Sequence, residues 1–239
     1  MNLIIDIGNT STKVALSAGT VIVKKSRIGS PDPAIIESFI AGQPLEGAII
    51  SSVNHDPSGL ISYLESRCGR VHRLTWQSRY PFGIDYETPE TLGVDRLAAA
   101  AGAWFHHPHS DLLVIDAGSA LTVDYITGGK YRGGSISPGM SMRFRALHEY
   151  TGRLPLLSSG KNFSLPGRST KDAITGGVVM GMVYEINEYI RTFEERHKNP
   201  VTLITGGDSE MIFPLSERKM LLYPDLVTDG LIYLLDTNA

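Results

Sequence analysis

The stretch Leu3 to Lys13, LIIDIGNTSTK, runs three apolar residues into Asp6 and then into a glycine, an asparagine and a row of hydroxyls. Two readings of it compete. Gly8-Asn9 is good turn chemistry, so the segment can be a β-hairpin with a polar tip. It can equally be a turn that holds phosphate, with a carboxylate placed to deal with a metal ion. The choice depends on whether the pattern stands alone.

It does not. IIDIGNTSTKVAL (Ile4 to Leu16) lies over VIDAGSALTVDYI (Val114 to Ile126), with Asp6 on Asp116, Gly8 on Gly118 and Thr12 on Thr122, all at one offset of 110 residues. A third short strand follows each copy, GTVIVKK after the first and GKYRGGSI after the second. Beyond it, helical and strand patterns alternate. In the first half these are a helix near Pro33, strand EGAIISSV, helix SGLISYLESRC, strand RVHRL and helix VDRLAAAAGAWF. The second half has helices around 141–149 and 170–198, strand VTLIT, a helix after Gly207, strand KMLLY and helix DLVTDGLIYLLD. Residues 1–110 and 111–239 thus each read βββαβαβα, with an extra helix allowed in the second, which predicts α/β layers with mixed sheets. The expected architecture is a duplicated ribonuclease-H-like fold, the actin-like ATPase plan. Its two halves would flank a central cleft, with ATP inside and Asp6 and Asp116 at opposite lips.

Under that plan each motif has a chemical reading. Backbone amides around Ile7, Gly8, Asn9 and Thr10, with the hydroxyls of Thr10, Ser11 and Thr12, can donate to phosphate oxygens. Asp6 would repel phosphate, so its role is to hold Mg²⁺ through water, because Mg²⁺ keeps part of its hydration shell. Lys13 adds a positive charge or sits solvated on the outer face. In the second turn Asp116 can take a cation and Ser119 can touch a phosphate; a strand-end acid satisfying nearby amides is the plainer alternative. GGSISPGM (Gly133 to Met140) and LITGGD (Leu203 to Asp208) end strands in glycine, where backbone can approach a ligand closely. The second of these suits an adenosine pocket.

In YETPETLGVDRLAAAAG, Asp95 and Arg96 fall in the first turn of a strongly predicted helix, where an acid is favoured by the helix dipole. That alone explains them. Placed beside a substrate hydroxyl, however, Asp95 could accept its proton during phosphoryl transfer. FHHPH (His106, His107, His109) follows a helix end and its proline works against a compact metal cage.

Composition narrows the classes. A net charge of −3 with no basic cluster gives no reason to expect nucleic acid. The single Cys68 excludes an internal disulfide and fits a reducing compartment. No stretch approaches a membrane-spanning length, and the first strand leaves no room for a signal peptide, so a cytoplasmic protein with no membrane partner is expected.

Over nearly its whole length the chain resembles type III pantothenate kinases, through D-I-G-N-T at 6–10, L-G-V-D-R at 92–96, D-A-G-S-A at 116–120, G-G-S-I-S-P-G at 133–139, R-L-P at 153–155 and S-T-K-D-A-I at 169–174. The resemblance implies ATP-dependent phosphorylation of pantothenate to 4'-phosphopantothenate, the first step of coenzyme A synthesis. It assigns the ATP phosphates to Asp6–Lys13, and pantothenate to Tyr86 and to Gly93, Val94, Asp95 and Arg96, with Asp95 as general base. Arg96, a planar fork, would suit the pantothenate carboxylate. The resemblance also places a monovalent cation, K⁺ or NH₄⁺, at Asp116. Ser119 contacts ATP where the family usually has threonine. Thr170 would reach pantothenate from the partner subunit of a homodimer. Two other readings keep the nucleotide site: a non-catalytic regulator like the Bvg accessory factors, and a kinase for another small-molecule hydroxyl.

Overall fold

The computed structural model describes residues 1–53, 56–160 and 162–238, which form two compact units, Met1–Pro108 with Leu226–Ala239 and His109–Asp225. In the first unit β1 (Asn2–Ile7) is buried at all six positions. A strand covered on both faces needs a near-continuous apolar run rather than an alternating one, which is what Leu3-Ile4-Ile5 supplies. β1 pairs antiparallel with β2 (Thr12–Ala18) and parallel with β4 (Gly47–Ser52). With β3 (Val21–Ile28) and β5 (Val71–Arg73) the sheet order is β3-β2-β1-β4-β5.

Leu3, Ile5 and Ile7 point to one face, in a core with Val14, Ile36, Ile50 and Leu64, under α1 (Pro33–Ile40) and α2 (Ser58–Glu65). Each such Leu or Ile contributes about 1.5–3 kcal/mol by leaving water. Asp32 starts α1, its carboxylate accepting from the Ala34 N–H at 2.8 Å ahead of Pro33 in the first turn. Cys68 is buried beyond α2, its Sγ 3.4 Å from the Leu64 carbonyl oxygen, as a packing residue. A two-residue strand β6 (Gly83–Ile84) and a 3₁₀ turn at Pro89–Thr91 lead into α3 (Val94–His106).

In the second unit β7 (Leu112–Ala117) lies between β8 (Ala120–Thr127), antiparallel, and β10 (Val201–Thr205), parallel. β9 (Lys130–Pro138) continues from β8, and β11 (Leu221–Leu222) from β10. The core joins Leu113, Ile115 and Val123 to Val179, Val183 and Ile186 of the long helix α5 (Thr170–Arg196), with Phe144 of α4 (Met140–Glu149). The helix after Gly207 is a single turn, α6 (Ser209–Ile212).

The last helix departs from the sequence reading. α7 (Leu226–Thr237) clusters with the first unit, packing on α3, β1 and β4, rather than closing the second half. Two glycines account for the fit. A Cβ at Gly102 would stand 2.1 Å from the Leu226 carbonyl oxygen, and one at Gly230 would stand 1.9 Å from that of Ala98. Backbones this close tolerate only glycine at the crossing. The alanine run of α3 keeps the rest of that face flat. Among the described residues no helix is long and apolar enough to cross a membrane.

Candidate active site

Register builds the first turn. Asp6 is opposite Lys13 across the β1–β2 hairpin and level with Ser51 on the parallel strand β4, so all three side chains share one face of the sheet. The turn between them closes with the Gly8 N–H donating to the Ser11 carbonyl at 3.2 Å. Asn9 and Thr10 stand exposed at its tip, whereas Thr12 is buried. Asp6 is only 7% exposed, and its Oδ1 is buried with no hydrogen-bond partner among the described residues. Burial holds the Asp6 carboxyl above its ordinary proton affinity; Lys13 opposes that shift, the nearby Asp95 charge adds to it, and the Ser51 hydroxyl opposes it as a side-chain hydrogen-bond donor.

Asp95 therefore lies within electrostatic reach of the turn. It is the second residue of α3, and its Oδ1 accepts from the Arg96 N–H at 2.9 Å. Gly93, the residue before the helix, is what permits this pose: a Cβ there would sit 2.5 Å from Asp95 Oδ1. Burial raises the Asp95 carboxyl above the usual carboxylate range, partly offset by the Arg96 amide and guanidinium and by Lys13. A carboxylate short of solvation yet still flanked by cations is a stronger base than a surface one. Arg96 is itself buried, at 7% exposure. Tyr86 is half-buried ahead of the Pro89–Thr91 turn, where Thr91 Oγ1 donates to the Thr88 carbonyl at 2.9 Å.

The second turn differs in one structural detail. Ile7 pairs with Thr12 in the first hairpin, but Ala117 pairs with Leu121 in the second, so the second turn is one residue shorter. The constant offset read from the sequence thus holds for the acids and glycines and fails beyond them. Thr122 is opposite Asp116, the place that Lys13 takes opposite Asp6. Two other strand-end segments close on this turn. Gly139 lies where a Cβ would be 2.3 Å from the Gly118 carbonyl oxygen. Gly206, at φ +98°, lies where a Cβ would be 2.4 Å from Asp116 Oδ1. The Asp208 N–H donates to the Ala117 carbonyl at 2.9 Å, and burial raises the Asp208 carboxyl. The glycine-ended strands singled out in the sequence do gather at the second acid.

Thr170 is exposed at the first position of α5, after Ser169, whose hydroxyl accepts from the Asp172 N–H at 3.1 Å. His106, from the histidine cluster, pairs with Asp229 at 2.8 Å. Sequence reasoning missed Ser51. Its only signal was a hydroxyl at the end of a buried strand, and nothing local says which strand it will lie beside.

A repeated α/β unit with an acid-glycine turn ending the central strand of each copy defines the ribonuclease-H-like class of phosphate-handling proteins. Solved structures agree on the fold. A chain described as a Baf family transcriptional activator from Campylobacter jejuni is 22% identical with a TM-score of 0.66, covering 99% of this chain and 98% of its own. A ROK family glucokinase from Streptomyces griseus is 16% identical with a TM-score of 0.54, covering 99% and 98%. The sequence is more specific. The model of the type III pantothenate kinase family matches residues 2–192, and the type III pantothenate kinase of Porphyromonas gingivalis strain W83 is 36% identical over 242 aligned positions, covering 100% of this chain and 99% of its own. The chain belongs to the type III pantothenate kinase family.

Proposed function

We infer that the protein transfers the γ-phosphoryl group of ATP to the primary hydroxyl of pantothenate, the first step of coenzyme A synthesis. The observation that carries the reading is a raised, half-buried Asp95 within electrostatic reach of the Asp6–Lys13 turn, in a chain of this family. Asp95 Oδ1 is engaged by the Arg96 amide, so Oδ2 takes the hydroxyl proton as the oxygen attacks phosphorus in line. The transition state is loose, and positioning with charge stabilisation supplies most of the catalysis. The amides of Asn9 and Thr10 and the Lys13 ammonium hold the phosphates, on a turn closed by the Gly8 N–H. Arg96 and Tyr86 orient pantothenate, Arg96 through its carboxylate.

The residues present fit a divalent cation: Asp6 Oδ1 is an orphaned buried carboxylate oxygen, of the kind that accepts from metal-bound water. Bound there, Mg²⁺ would neutralise developing charge on the phosphoryl oxygens. Asp116 takes a monovalent cation such as K⁺ or NH₄⁺: it is a partly exposed strand-end carboxylate level with Thr205 on the neighbouring strand. Ser119 takes a phosphate oxygen. The enzyme acts as a cytoplasmic homodimer in which Thr170 of the partner subunit completes the pantothenate site. An apolar groove along Met142, Leu147, Tyr150, Leu154, Ile174 and Val178, with Tyr150 85% exposed, supports a second copy as its cover.

The test is phosphorylation of pantothenate by the purified protein with MgATP, in K⁺ and in Na⁺. Turnover in K⁺ and little in Na⁺ is expected. Equal turnover in both removes the monovalent site, and no turnover in either removes the acceptor.

A further inference from the structure

The Asp6 carboxylate does not face its cation alone. Ser51 is level with it on β4, is 0% exposed, and has a buried Oγ without a hydrogen-bond partner among the described residues. Two orphaned oxygens therefore lie side by side on one face of the sheet, Asp6 Oδ1 and Ser51 Oγ, with Lys13 on the far side of Asp6. The Ser51 hydroxyl is near enough to lower the proton affinity of the Asp6 carboxyl as a side-chain donor, and register fixes the strands on which both sit. Such a pair suits an incoming donor that can reach both. A divalent cation that keeps its waters brings several O–H donors in a fixed shell.

We propose that Ser51 is a positioning residue for the divalent cation, its hydroxyl and Asp6 Oδ1 together holding the cation's water. The proposal rests on the kinase reading for the presence of nucleotide and metal, and goes beyond it in naming the residue that orients the hydration shell. Partners of this kind outside the direct coordination sphere are worth about 10–100-fold in metal affinity.

The same sheet provides its own control. Asn2 and Ser17 are in register at the other end of β1, and Asn2 Oδ1 and Ser17 Oγ are likewise buried without partners among the described residues. They lie four residues from Asp6, about 13 Å along a strand. If a buried unpaired hydroxyl were merely a packing defect, S17A and S51A would behave alike.

The experiment titrates Mn²⁺ into the full chain with a non-hydrolysable ATP analogue and reads free Mn²⁺ by electron paramagnetic resonance. S51A should bind Mn²⁺ at least tenfold more weakly than the unsubstituted protein, S17A within twofold of it, and S51T should recover most of the loss. Melting temperatures of all three variants show that the fold is kept. Unchanged affinity in S51A, an equal loss in S17A, or no protein-bound Mn²⁺ in any form would overturn the proposal. The readout needs no acceptor, so a protein that binds Mn²⁺ and analogue but leaves pantothenate untouched breaks the kinase reading while the Ser51 comparison still decides this one.

Discussion

Asp6 and Asp116 end equivalent central strands, each followed by a turn through glycine, and their surroundings have diverged. Asp6 is buried, with Lys13 opposite and Ser51 alongside. Asp116 is partly exposed, with Thr122 opposite, Thr205 alongside and glycine backbone pressed against its carboxylate. One residue fewer in the second turn shifts the returning strand, and that shift exchanges a lysine for a threonine across from the acid. The two cation roles proposed above rest on that difference: a buried acid for a divalent ion held through water, a partly exposed acid for a monovalent one. Duplication supplied two acids; register made them unlike.

The largest effect expected from breaking this arrangement is at Asp95, the proposed base, which lies within electrostatic reach of the first turn. D95N should lower kcat by about 10²–10⁴-fold, with nucleotide affinity nearly unchanged in a binding titration. Next comes G206A. At φ +98° a side chain is strained, and its Cβ would collide with Asp116 Oδ1, so activation by K⁺ should be lost and stability should fall by about 1–3 kcal/mol. Activation curves in K⁺ and Na⁺ together with thermal melts check both parts. If G206A keeps its K⁺ dependence, the second acid is not the cation site.

K13T copies the second turn's pairing into the first. It removes the charge proposed to hold phosphate, and the KM for MgATP should rise by about tenfold, roughly 1.4 kcal/mol, with a smaller change in kcat. Steady-state kinetics separates the two. A K13T enzyme with an unaltered KM would mean that the turn amides suffice and the cross-strand lysine is incidental.

The smallest effects are on proton linkage. Burial raises both Asp6 and Asp95 above the ordinary value of 3.8. The folded state therefore binds more protons than the unfolded one between 3.8 and the raised values, and stability from these groups declines as pH rises through that window. At neutral pH both ionised carboxylates are a cost, and D6N should melt higher by about 2–4 °C for each kcal/mol relieved. If Asp95 is the base, the acid limb of kcat/KM should have its midpoint above 3.8, because a base works only when ionised.

Much of this was legible in the residues. The apolar runs into Asp6 and Asp116 announce central strands because a strand covered on both faces has no room for alternation. Asp95 is legible as a helix-start acid, and Gly93 before it as backbone left open. Other features were not. α7 reads as the end of the second half because it follows β10 and β11 in order, yet it packs with the first unit; its Gly230 matches Gly102 only across more than a hundred residues. The shortened second turn was hidden because a one-residue change leaves the motif intact and alters only which residues face each other across the ladder.

Local chemistry in the chain was enough to set the strands, the repeated acid-glycine turns and the family, since each depends on residue types at short spacing. Neighbours across strands needed the folded sheet: Lys13 and Ser51 beside Asp6, Thr122 and Gly206 beside Asp116. Hydrogen-bond register sets such pairs, and burial then sets their charge states. Both arise from packing between segments far apart in the chain, where spacing along the sequence carries no information.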